Sequence, residues 1–325
     1  MRFKKIREVI RRHKTFLITT HENPDWDALC SELGMAIYLR ALGKKVYIIN
    51  DEKLPARYAF LPGAKAIGHY AAKKDILCEA AIVLDCGELR RTGKVVNLIR
   101  GGVIVVNMDH HVTNDFFGDF NVVDPQASST AEMLYTFLRR VRHPLTKELA
   151  LNLYAGIMTD TGSFRFENTS AYTHRVISEL MKFGFSVTDV YQKTYESIPL
   201  SDLKGFAGLV SRFRVLFRGR VVYLDLPQKI VSKFSEDFDL RDAIFKFLRL
   251  MKGAEVFIIF TEIDRHTTRV NLRSSSTVDV ARLAQYFNGG GHTRASGCTV
   301  EGSIPHAREK MIKQIRRILQ AGRER

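Results

Sequence analysis

Cysteine is scarce in this sequence, and the cysteines that are present form no recognisable pair. They are Cys30, Cys78, Cys86 and Cys298. Because no two of them make a Cys-x-x-Cys motif, the sequence argues against a thiolate zinc site and against a redox-active disulfide. Scattered thiols in a chain of this size are typical of a reducing compartment, so we expect a cytoplasmic protein.

Long apolar runs, internal repeats and low-complexity segments are also lacking. No stretch approaches the roughly 20 apolar residues that a membrane-spanning helix needs. The apolar run within residues 1–20 is shorter than that of a signal peptide. We therefore expect a folded protein that does not enter a membrane.

What the sequence does have is an excess of positive charge. Its 325 residues include 50 lysines and arginines against 35 aspartates and glutamates, a formal net charge of +15. Such a charge attracts phosphates, nucleic acid or an anionic membrane surface, although a solvated basic surface accounts for it equally well. The length exceeds the usual size of one hydrophobic core, so two domains are expected.

The first half has the pattern of a doubly wound α/β domain. Continuous apolar runs, typical of strands buried on both faces of a parallel sheet, lie at residues 16–20, 45–50, 80–84 and 103–108. Helical spacing is found at residues 3–13, 27–42, 128–140, 146–158 and 171–183. This alternation predicts a parallel sheet with helices on both faces over residues 1–185.

The pattern changes after a polar segment at residues 186–204, which we interpret as a linker. Residues 205–325 are predicted to form a smaller α+β domain. Its expected elements are a hairpin of strands 206–218 and 220–226, a helix at 239–250, strands at 254–263 and 267–273, and a helix at 279–287.

Acidic and histidine side chains follow three of the predicted strands, and one more aspartate, Asp160, closes an apolar helix. The residues that follow strands are His21, Asp25, Asp27, Asp85, Asp109, His110 and His111. In an open parallel sheet the carboxyl ends of the strands line the ligand crevice. The sequence therefore predicts that these side chains meet at one edge of the sheet.

Several carboxylates in one crevice require compensation. Two unit charges about 4 Å apart repel by roughly 4 kcal/mol at an effective dielectric constant of about 20. Two divalent cations would cancel four such charges, and aspartates combined with His21 and His110 suit Mn²⁺, with Mg²⁺ or Co²⁺ as alternatives. Taken singly, each aspartate has a plainer explanation as a helix N-cap or a turn residue, and a His-His pair is often structural.

The second domain contains a glycine run followed by a histidine and an arginine. Glycines 289–291 let a ligand approach the backbone, whose amides can bind phosphate, and His292 and Arg294 add donors. Upstream, Arg273 and Ser274 end a strand with a guanidinium and a hydroxyl, a good phosphate grip. A flexible turn is the competing interpretation of the glycines.

These motifs, in this order, resemble those of the DHH phosphoesterases. The first-domain motifs are His21-x-Asn23-Pro24-Asp25-x-Asp27, the isolated Asp85, Asp109-His110-His111 and Asp160-Thr161-Gly162. The accompanying DHHA1 domain is matched by Asn271-Leu272-Arg273-Ser274 and Gly289-Gly290-Gly291-His292. The resemblance covers nearly the whole chain, and the size is similar to the stand-alone nanoRNase branch rather than to the longer RecJ exonucleases.

The resemblance implies a role for each matching residue. One metal ion would be held by His21, Asp25 and Asp85, and a second by Asp27, Asp85, His110 and Asp160, with Asp85 bridging. His111 would face the scissile phosphate, and Asp109 would orient the histidines. Substrate would be bound by Arg273, Ser274, Gly289, Gly290, Gly291, His292 and Arg294. Trp26 replaces the small residue usual in the family, and it either packs under the helix or stacks on a base.

The function that the resemblance implies is two-metal hydrolysis of very short RNA to 5′-mononucleotides. A second substrate would be the small adenine nucleotide 3′-phosphoadenosine 5′-phosphate (pAp). The alternatives are a phosphodiesterase for cyclic di-AMP or its linear product pApA and, more remotely, an inactive nucleotide-binding regulator. The choice among these substrates and the oligomeric state, a homodimer included, do not follow from the sequence.

Overall fold

The structure is a computed structural model that describes residues 3–71, 76–99, 101–196, 198–235, 238–275 and 278–321. It divides into two compact units, Met1–Glu196 and Ser197–Arg325. The division falls inside the segment 186–204. That segment is largely helical, because it contains one helix and the start of the next.

The first unit is built on a parallel six-stranded sheet. Its described strands are β1 (Thr15–Thr19), β2 (Lys45–Asn50), β3 (Ile67–His69), β4 (Ala80–Leu84), β5 (Ile104–Asp109) and β6 (Phe120–Val123). The strand order is β3-β2-β1-β4-β5-β6, and each neighbouring pair is parallel. The chain order reverses between β1 and β4, and a ligand crevice is expected at the carboxyl ends of such strands.

Six α-helices belong to the described part of this unit. They are α1 (Lys4–Arg12), α2 (Trp26–Ala41), α3 (Thr130–Arg140), α4 (Lys147–Asp160), α5 (Ala171–Met181) and α6 (Val187–Tyr195). Their buried side chains form one cluster with sheet residues such as Phe16, Ile18 and Ile82. The opposite face, which includes Leu17 and Ala81, is covered by 3₁₀ turns within Leu89–Leu98. Helical cover on both faces is confirmed, although the second face carries the tighter helix type.

The second unit contains a mixed sheet with helices packed on it. Its described strands are β7 (Arg214–Leu216), β8 (Val221–Leu226), β9 (Val256–Asp264), β10 (Thr267–Ser274), β11 (Gly290–His292) and β12 (Ala295–Glu301). The order is β11-β12-β10-β9-β8-β7, and only the β8–β9 pair is parallel. Its described helices are α7 (Leu200–Val210), α8 (Gln228–Val231), α9 (Leu240–Leu248), α10 (Val280–Gln285) and α11 (Ile304–Ala321).

Two hydrophobic cores form on this second sheet. Residues of α10 and α11 pack with Ile258, Val270 and Leu272 in one cluster. Residues of α7 and α9 pack with Val222 and Ile259 in another. The α+β class is therefore confirmed. One element was predicted wrongly: residues 206–210 belong to α7 rather than to a strand, and only Arg214–Leu216 pairs with β8.

Within the described residues, no helix is both long enough and apolar enough to cross a membrane. The apolar face of the basic helix α1 is occupied, because Ile6, Val9 and Ile10 are buried in the core of the first unit.

Candidate active site

The predicted site residues of the first unit meet at the carboxyl edge of its sheet. His21 lies two residues beyond β1, Asp85 follows β4, and His110 and His111 follow β5. Asp25 and Asp27 begin α2, and Asp160 is the last residue of α4. The switch point between β1 and β4 thus brings His21 and Asp85 to adjacent positions.

A first group of potential ligands consists of His21, Asp25 and Asp85. One side-chain ligand atom from each lies within 4.8 Å of the others, and His21 Nε2 is 3.9 Å from Asp85 Oδ2. The Nδ1 atom of His21 is 2.8 Å from the carbonyl oxygen of Glu22. This contact orients the ring and leaves Nε2 directed at the group, as in metal-ligating histidines.

A second group consists of Asp27, His110 and Asp160, whose ligand atoms also lie within 4.8 Å of one another. His110 Nε2 is 3.6 Å from Asp160 Oδ2 and 3.5 Å from Asp85 Oδ1. Asp85 therefore has one carboxylate oxygen near each group. This is the geometry of a carboxylate able to bridge two cations.

The charge of these groups supports a cation as their occupant. Burial raises the pKa of Asp27 well above its ordinary value, and repulsion from Asp85, Asp160 and Asp25 raises it further. Burial likewise raises the pKa of Asp160 to about 7, with Asp25 and Asp85 adding to the rise. Clustered carboxylates with these pKa values hold protons readily, and divalent cations would replace those protons. The residues present fit a pair of divalent metal ions.

Asp27 is held in place by the start of α3 and by a glycine of α4. Its carboxylate accepts hydrogen bonds from the backbone N–H groups of Thr130 (2.7 Å) and Ala131 (3.0 Å). The Thr130 hydroxyl donates to Asp85 Oδ1 at 2.9 Å. A Cβ atom on Gly156 would lie 2.9 Å from Asp27 Oδ1. A helix N-terminus favours a carboxylate at this point, and Gly156 leaves room for it.

The third cluster, Asp85, Asp109 and His111, centres on a buried ion pair. His111 Nδ1 lies 2.6 Å from Asp109 Oδ1. Burial opposes ionisation of Asp109, but its contacts with His111 and Asn114 outweigh burial and lower its pKa to about 2. Burial also opposes the charge on His111, and the Asp109 carboxylate raises its pKa to about 9. The pair fixes the ring and leaves Nε2 of His111 as the second ring donor.

Two buried asparagines support this pair. Asn114 Nδ2 donates to Asp109 Oδ2 at 2.6 Å and to Asn107 Oδ1 at 2.8 Å. Asn107 in turn donates to the carbonyl oxygens of Val83 and Cys86 at 3.2 and 3.1 Å. The end of β4 and the loop after β5 are thereby joined beneath His111.

Two residues at the same edge have a strained backbone. Asp85 has φ = 52° and Asn23 has φ = 54°, both in the left-handed region that non-glycine residues rarely adopt. Each such residue costs on the order of 1 kcal/mol or more and persists where the surroundings enforce it. At Asp85, the strained residue is also the one whose carboxylate lies near both ligand groups.

The structure bears on two of the alternative interpretations, those of Asp25 and Trp26. Asp25 is an N-cap, because its carboxylate accepts a hydrogen bond from Ala28 N–H at 3.1 Å. Asp25 can cap the helix and also belong to the His21 group, because a carboxylate has two oxygens. Trp26 packs: its ring centroid is 4.3 Å from that of Tyr58 and 5.8 Å from that of Phe60.

In the second unit, the predicted substrate residues lie near one end of the sheet. Arg273 pairs in register with Ala295, and Ser274 N–H donates to the Arg294 carbonyl oxygen at 2.9 Å. The Ser274 side chain is buried. The Arg273 guanidinium lies 5.0 Å from the centre of the Phe245 ring.

The glycine run is partly a strand and not a free loop. Gly290, Gly291 and His292 form β11, which pairs with β12. A Cβ atom at Gly289 would meet the Gly297 carbonyl oxygen at 2.3 Å, and Gly291 has φ = 131°. Gly290 differs, because a Cβ there would have no neighbour within 4 Å. Packing thus explains two of the three glycines and leaves the third beside open space.

Sequence reasoning missed several residues that shape the site, among them Thr130, Gly156 and Asn114. The first was detectable, since Ser129 and Glu132 have the spacing of a capping box, which marks a helix N-terminus able to receive a carboxylate. The Ser129 side chain indeed caps α3 by accepting from Glu132 N–H at 3.0 Å. Gly156 carried no signal, because a lone glycine in a helical pattern has no predictable partner.

The sequence matches two protein-family models. The description of the first is "DHH family, N-terminal domain", over residues 15–157, and that of the second is "DHHA1 domain", over residues 221–321. A protein from Thermus thermophilus, named bifunctional oligoribonuclease and PAP phosphatase NrnA, is 32% identical over 304 residues, which cover 92% of this chain and 88% of the relative. The chain belongs to the DHH family.

Two further matches support membership of this DHH family. A Bacillus subtilis protein, also named bifunctional oligoribonuclease and PAP phosphatase NrnA, is 28% identical over 90% of this chain and 91% of its own length. The crystal structure of an exopolyphosphatase-related protein from Bacteroides fragilis superposes with a TM-score of 0.86 at 25% identity, covering 98% of this chain and 96% of the other. As a DHH protein, the chain is a metal-dependent hydrolase of phosphoric esters.

Proposed function

We propose that this DHH protein hydrolyses very short oligoribonucleotides to 5′-mononucleotides and also removes a phosphate from pAp. The observation that carries the proposal is the pair of ligand groups with one Asp85 oxygen near each, in a chain similar to NrnA proteins over about nine-tenths of its length. The four free cysteines favour a reducing, cytoplasmic location.

The proposed metal ligands follow the two groups. His21, Asp25 and Asp85 would hold one divalent ion, and Asp27, Asp85, His110 and Asp160 would hold the other. A mixed set of carboxylates and imidazoles suits Mn²⁺ better than Mg²⁺, which prefers oxygen ligands alone. When bound, such ions stabilise negative charge on phosphoryl oxygens and lower the pKa of coordinated water.

The remaining residues act on the substrate directly or position those that do. His111, oriented by Asp109 through Nδ1, would donate a hydrogen bond from Nε2 to a phosphoryl oxygen or to the leaving oxygen. In the second unit, Arg273, His292 and Arg294 would bind a terminal phosphate or the neighbouring nucleotide. The backbone at Gly290 would allow close approach, because the space beside it is open.

The test is a product profile obtained with the purified chain and Mn²⁺. Substrates would be RNA from dinucleotides to 24-mers, pAp, pApA and cyclic di-AMP, each followed by chromatography of the products. The proposal predicts fastest turnover of RNA of two to a few nucleotides, with release of 5′-mononucleotides, and measurable turnover of pAp. Preference for cyclic di-AMP or pApA would assign a different substrate to the same chemistry. Tight nucleotide binding with no metal-dependent turnover would reject hydrolysis.

A further inference from the structure

Two adjacent arginines in the segment after Asp85 have different surroundings. Arg90 is exposed, with 80% of its side-chain surface accessible, and it forms an ion pair with Glu88. Arg91 is half-buried. Among the residues that the structure describes, the Arg91 guanidinium has no hydrogen-bond or ion-pair partner. A partly buried guanidinium normally has an anionic partner, so its role requires an explanation.

The backbone of Arg91 is tied to both sides of the candidate metal site. Its carbonyl oxygen accepts a hydrogen bond from Glu22 N–H at 2.5 Å, next to His21. Its own N–H donates to the Glu88 carbonyl oxygen at 3.0 Å, in the turn after Asp85. The next residue, Thr92, is buried, and its hydroxyl donates to the Leu89 carbonyl oxygen at 2.8 Å. Arg91 is therefore held in a fixed position between the end of β1 and the end of β4.

The charge of Arg91 reaches the catalytic edge. Burial and then the Asp109 carboxylate dominate the pKa of His111, and the nearby positive charge of Arg91 acts on it as well, lowering it. Burial dominates the pKa of the Cys86 thiol, and Arg91 again counteracts it. These effects agree with the position of the Arg91 backbone between the residue after His21 and the turn after Asp85.

A positive charge at this place does not assist metal binding. A guanidinium only donates hydrogen bonds and cannot be a metal ligand, so this half-buried group has no role among the proposed ligands. A phosphate group supplies the partner that this guanidinium lacks among the described residues, because it is an anion that metal ions and a guanidinium bind together.

We propose that Arg91 binds a non-bridging oxygen of the phosphate group on which the enzyme acts. The inference rests on the proposed function and adds to it a substrate-binding residue outside the motifs that define the family resemblance. The guanidinium contributes a charge-assisted hydrogen bond and neutralises part of the phosphate charge. Arg90, one residue earlier and paired with Glu88 at the surface, takes no part.

The experiment compares Arg91→Ala with Arg90→Ala in the full-length, Mn²⁺-loaded enzyme. With an RNA dinucleotide and with pAp as substrates, kcat/KM is expected to fall about 10- to 100-fold in Arg91→Ala, the loss that one hydrogen bond to a charged group predicts. Arg90→Ala is expected to stay within about 2-fold of the parent enzyme. Added guanidinium ion should restore part of the activity of Arg91→Ala and should not raise the activity of Arg90→Ala. A purely structural role of Arg91 would not produce this rescue.

Two further measurements separate the possible failures. Calorimetry with Mn²⁺ is expected to give unchanged binding in both variants, and loss of Mn²⁺ in Arg91→Ala and also in Arg91→Lys would assign the arginine to the fold and overturn the inference. If the parent enzyme hydrolyses no substrate, the proposed function fails, and inorganic phosphate then serves as the probe. Arg91→Ala should bind phosphate at least 10-fold more weakly than Arg90→Ala, and equal affinity in the two variants would refute the role.

Discussion

At the scale of single residues, the candidate site is organised by the cost of burying charge. Asp27 is almost fully buried, and its carboxylate is stabilised there by hydrogen bonds from two backbone N–H groups of α3. Asp109 is buried too, and it is ionised because His111 and Asn114 donate to it. The first arrangement leaves Asp27 as a carboxylate that a divalent cation could neutralise. In the second arrangement, the charge of Asp109 is already balanced by His111. This difference separates proposed ligands from the residues that support them.

The His111 side chain gives a first prediction. His111→Gln removes the imidazole while leaving the proposed ligands in place, so kcat on an RNA dinucleotide should fall at least about 100-fold, the usual loss for a general acid or donor. Mn²⁺ binding, followed by calorimetry, should be retained. The control is His69→Gln, on the exposed edge strand β3, which should leave kcat unchanged. Parallel loss of metal and activity in His111→Gln would show that His111 is a ligand instead.

A second prediction concerns Glu32, a fully buried glutamate of α2 away from the proposed ligands. It accepts a hydrogen bond from Asn50 Nδ2 at 2.8 Å, while its other oxygen and the side-chain oxygen Oδ1 of Asn50 lack partners among the described residues. Burial raises the pKa of Glu32 from 4.5 to about 8. The carboxyl group is therefore protonated at neutral pH in the folded chain, and its O–H can donate to Asn50.

The sign of the pH effect follows from this raised pKa. The proton of Glu32 stabilises the fold fully below pH 4.5, and the contribution is lost as pH rises from there through about 8. Glu32→Gln cannot titrate, so its free energy of unfolding relative to the parent should increase over this range, by on the order of 4 kcal/mol at most. Urea unfolding of both proteins from pH 5 to 8.5 measures the difference. A constant difference would mean that Glu32 is ionised in the fold.

At the scale of elements, the close approach of α4 to α2 depends on one glycine. Gly156→Ala would place a methyl group 2.9 Å from Asp27 Oδ1 and 2.8 Å from the Ala131 side chain. We expect Asp27 to shift and Mn²⁺ affinity to fall about 10-fold or more. The matched control is Gly208→Ala in α7, where the added Cβ has no neighbour within 4 Å. It should keep its metal affinity and gain up to about 1 kcal/mol of stability. Equal metal affinity in the two variants would contradict the proposed role of Asp27.

The secondary-structure elements differ in how well the sequence predicts them. The predicted bounds of β2 and β4 agree with the structure, because an uninterrupted apolar run has few options other than a strand buried on both faces. The predicted strand 206–218 is wrong at residues 206–210, because Phe206, Leu209 and Val210 have the i, i+3, i+4 spacing of a helix face and pack in the core with α9. A short apolar run fits both periods, and tertiary packing decides between them.

Strands with little apolar character were not predictable. β3 and β11 have three residues each, and both contain glycine, so their pairing depends on neighbours that are distant in sequence. The residues of the site were easier to predict from the sequence than these strands. Residues that follow strong strands were assigned to one edge of the sheet, whereas residues that support them from helices, such as Thr130 and Gly156, are determined only by the packing of α3 and α4.

At the scale of the whole molecule, the net charge of +15 should influence substrate capture. A basic protein attracts phosphates over a distance that salt shortens. We predict that kcat/KM falls more steeply with ionic strength for an RNA pentamer than for an RNA dinucleotide without terminal phosphates, because the pentamer has phosphates beyond the reacting one. Assays between 50 and 200 mM salt test this. Identical salt dependence for the two substrates would mean that the protein attracts only the reacting phosphate.

The most direct test of the account is the number of Mn²⁺ ions that the chain binds, measured by calorimetry and by elemental analysis. We predict two ions per chain for the parent protein. Because Asp85 has one oxygen near each ligand group, Asp85→Asn should weaken both sites and abolish hydrolysis, while Asp189→Asn on the exposed side of α6 should change neither. A single ion, or two ions that bind Asp85→Asn as tightly as the parent, would contradict the claim that one aspartate joins two metal sites.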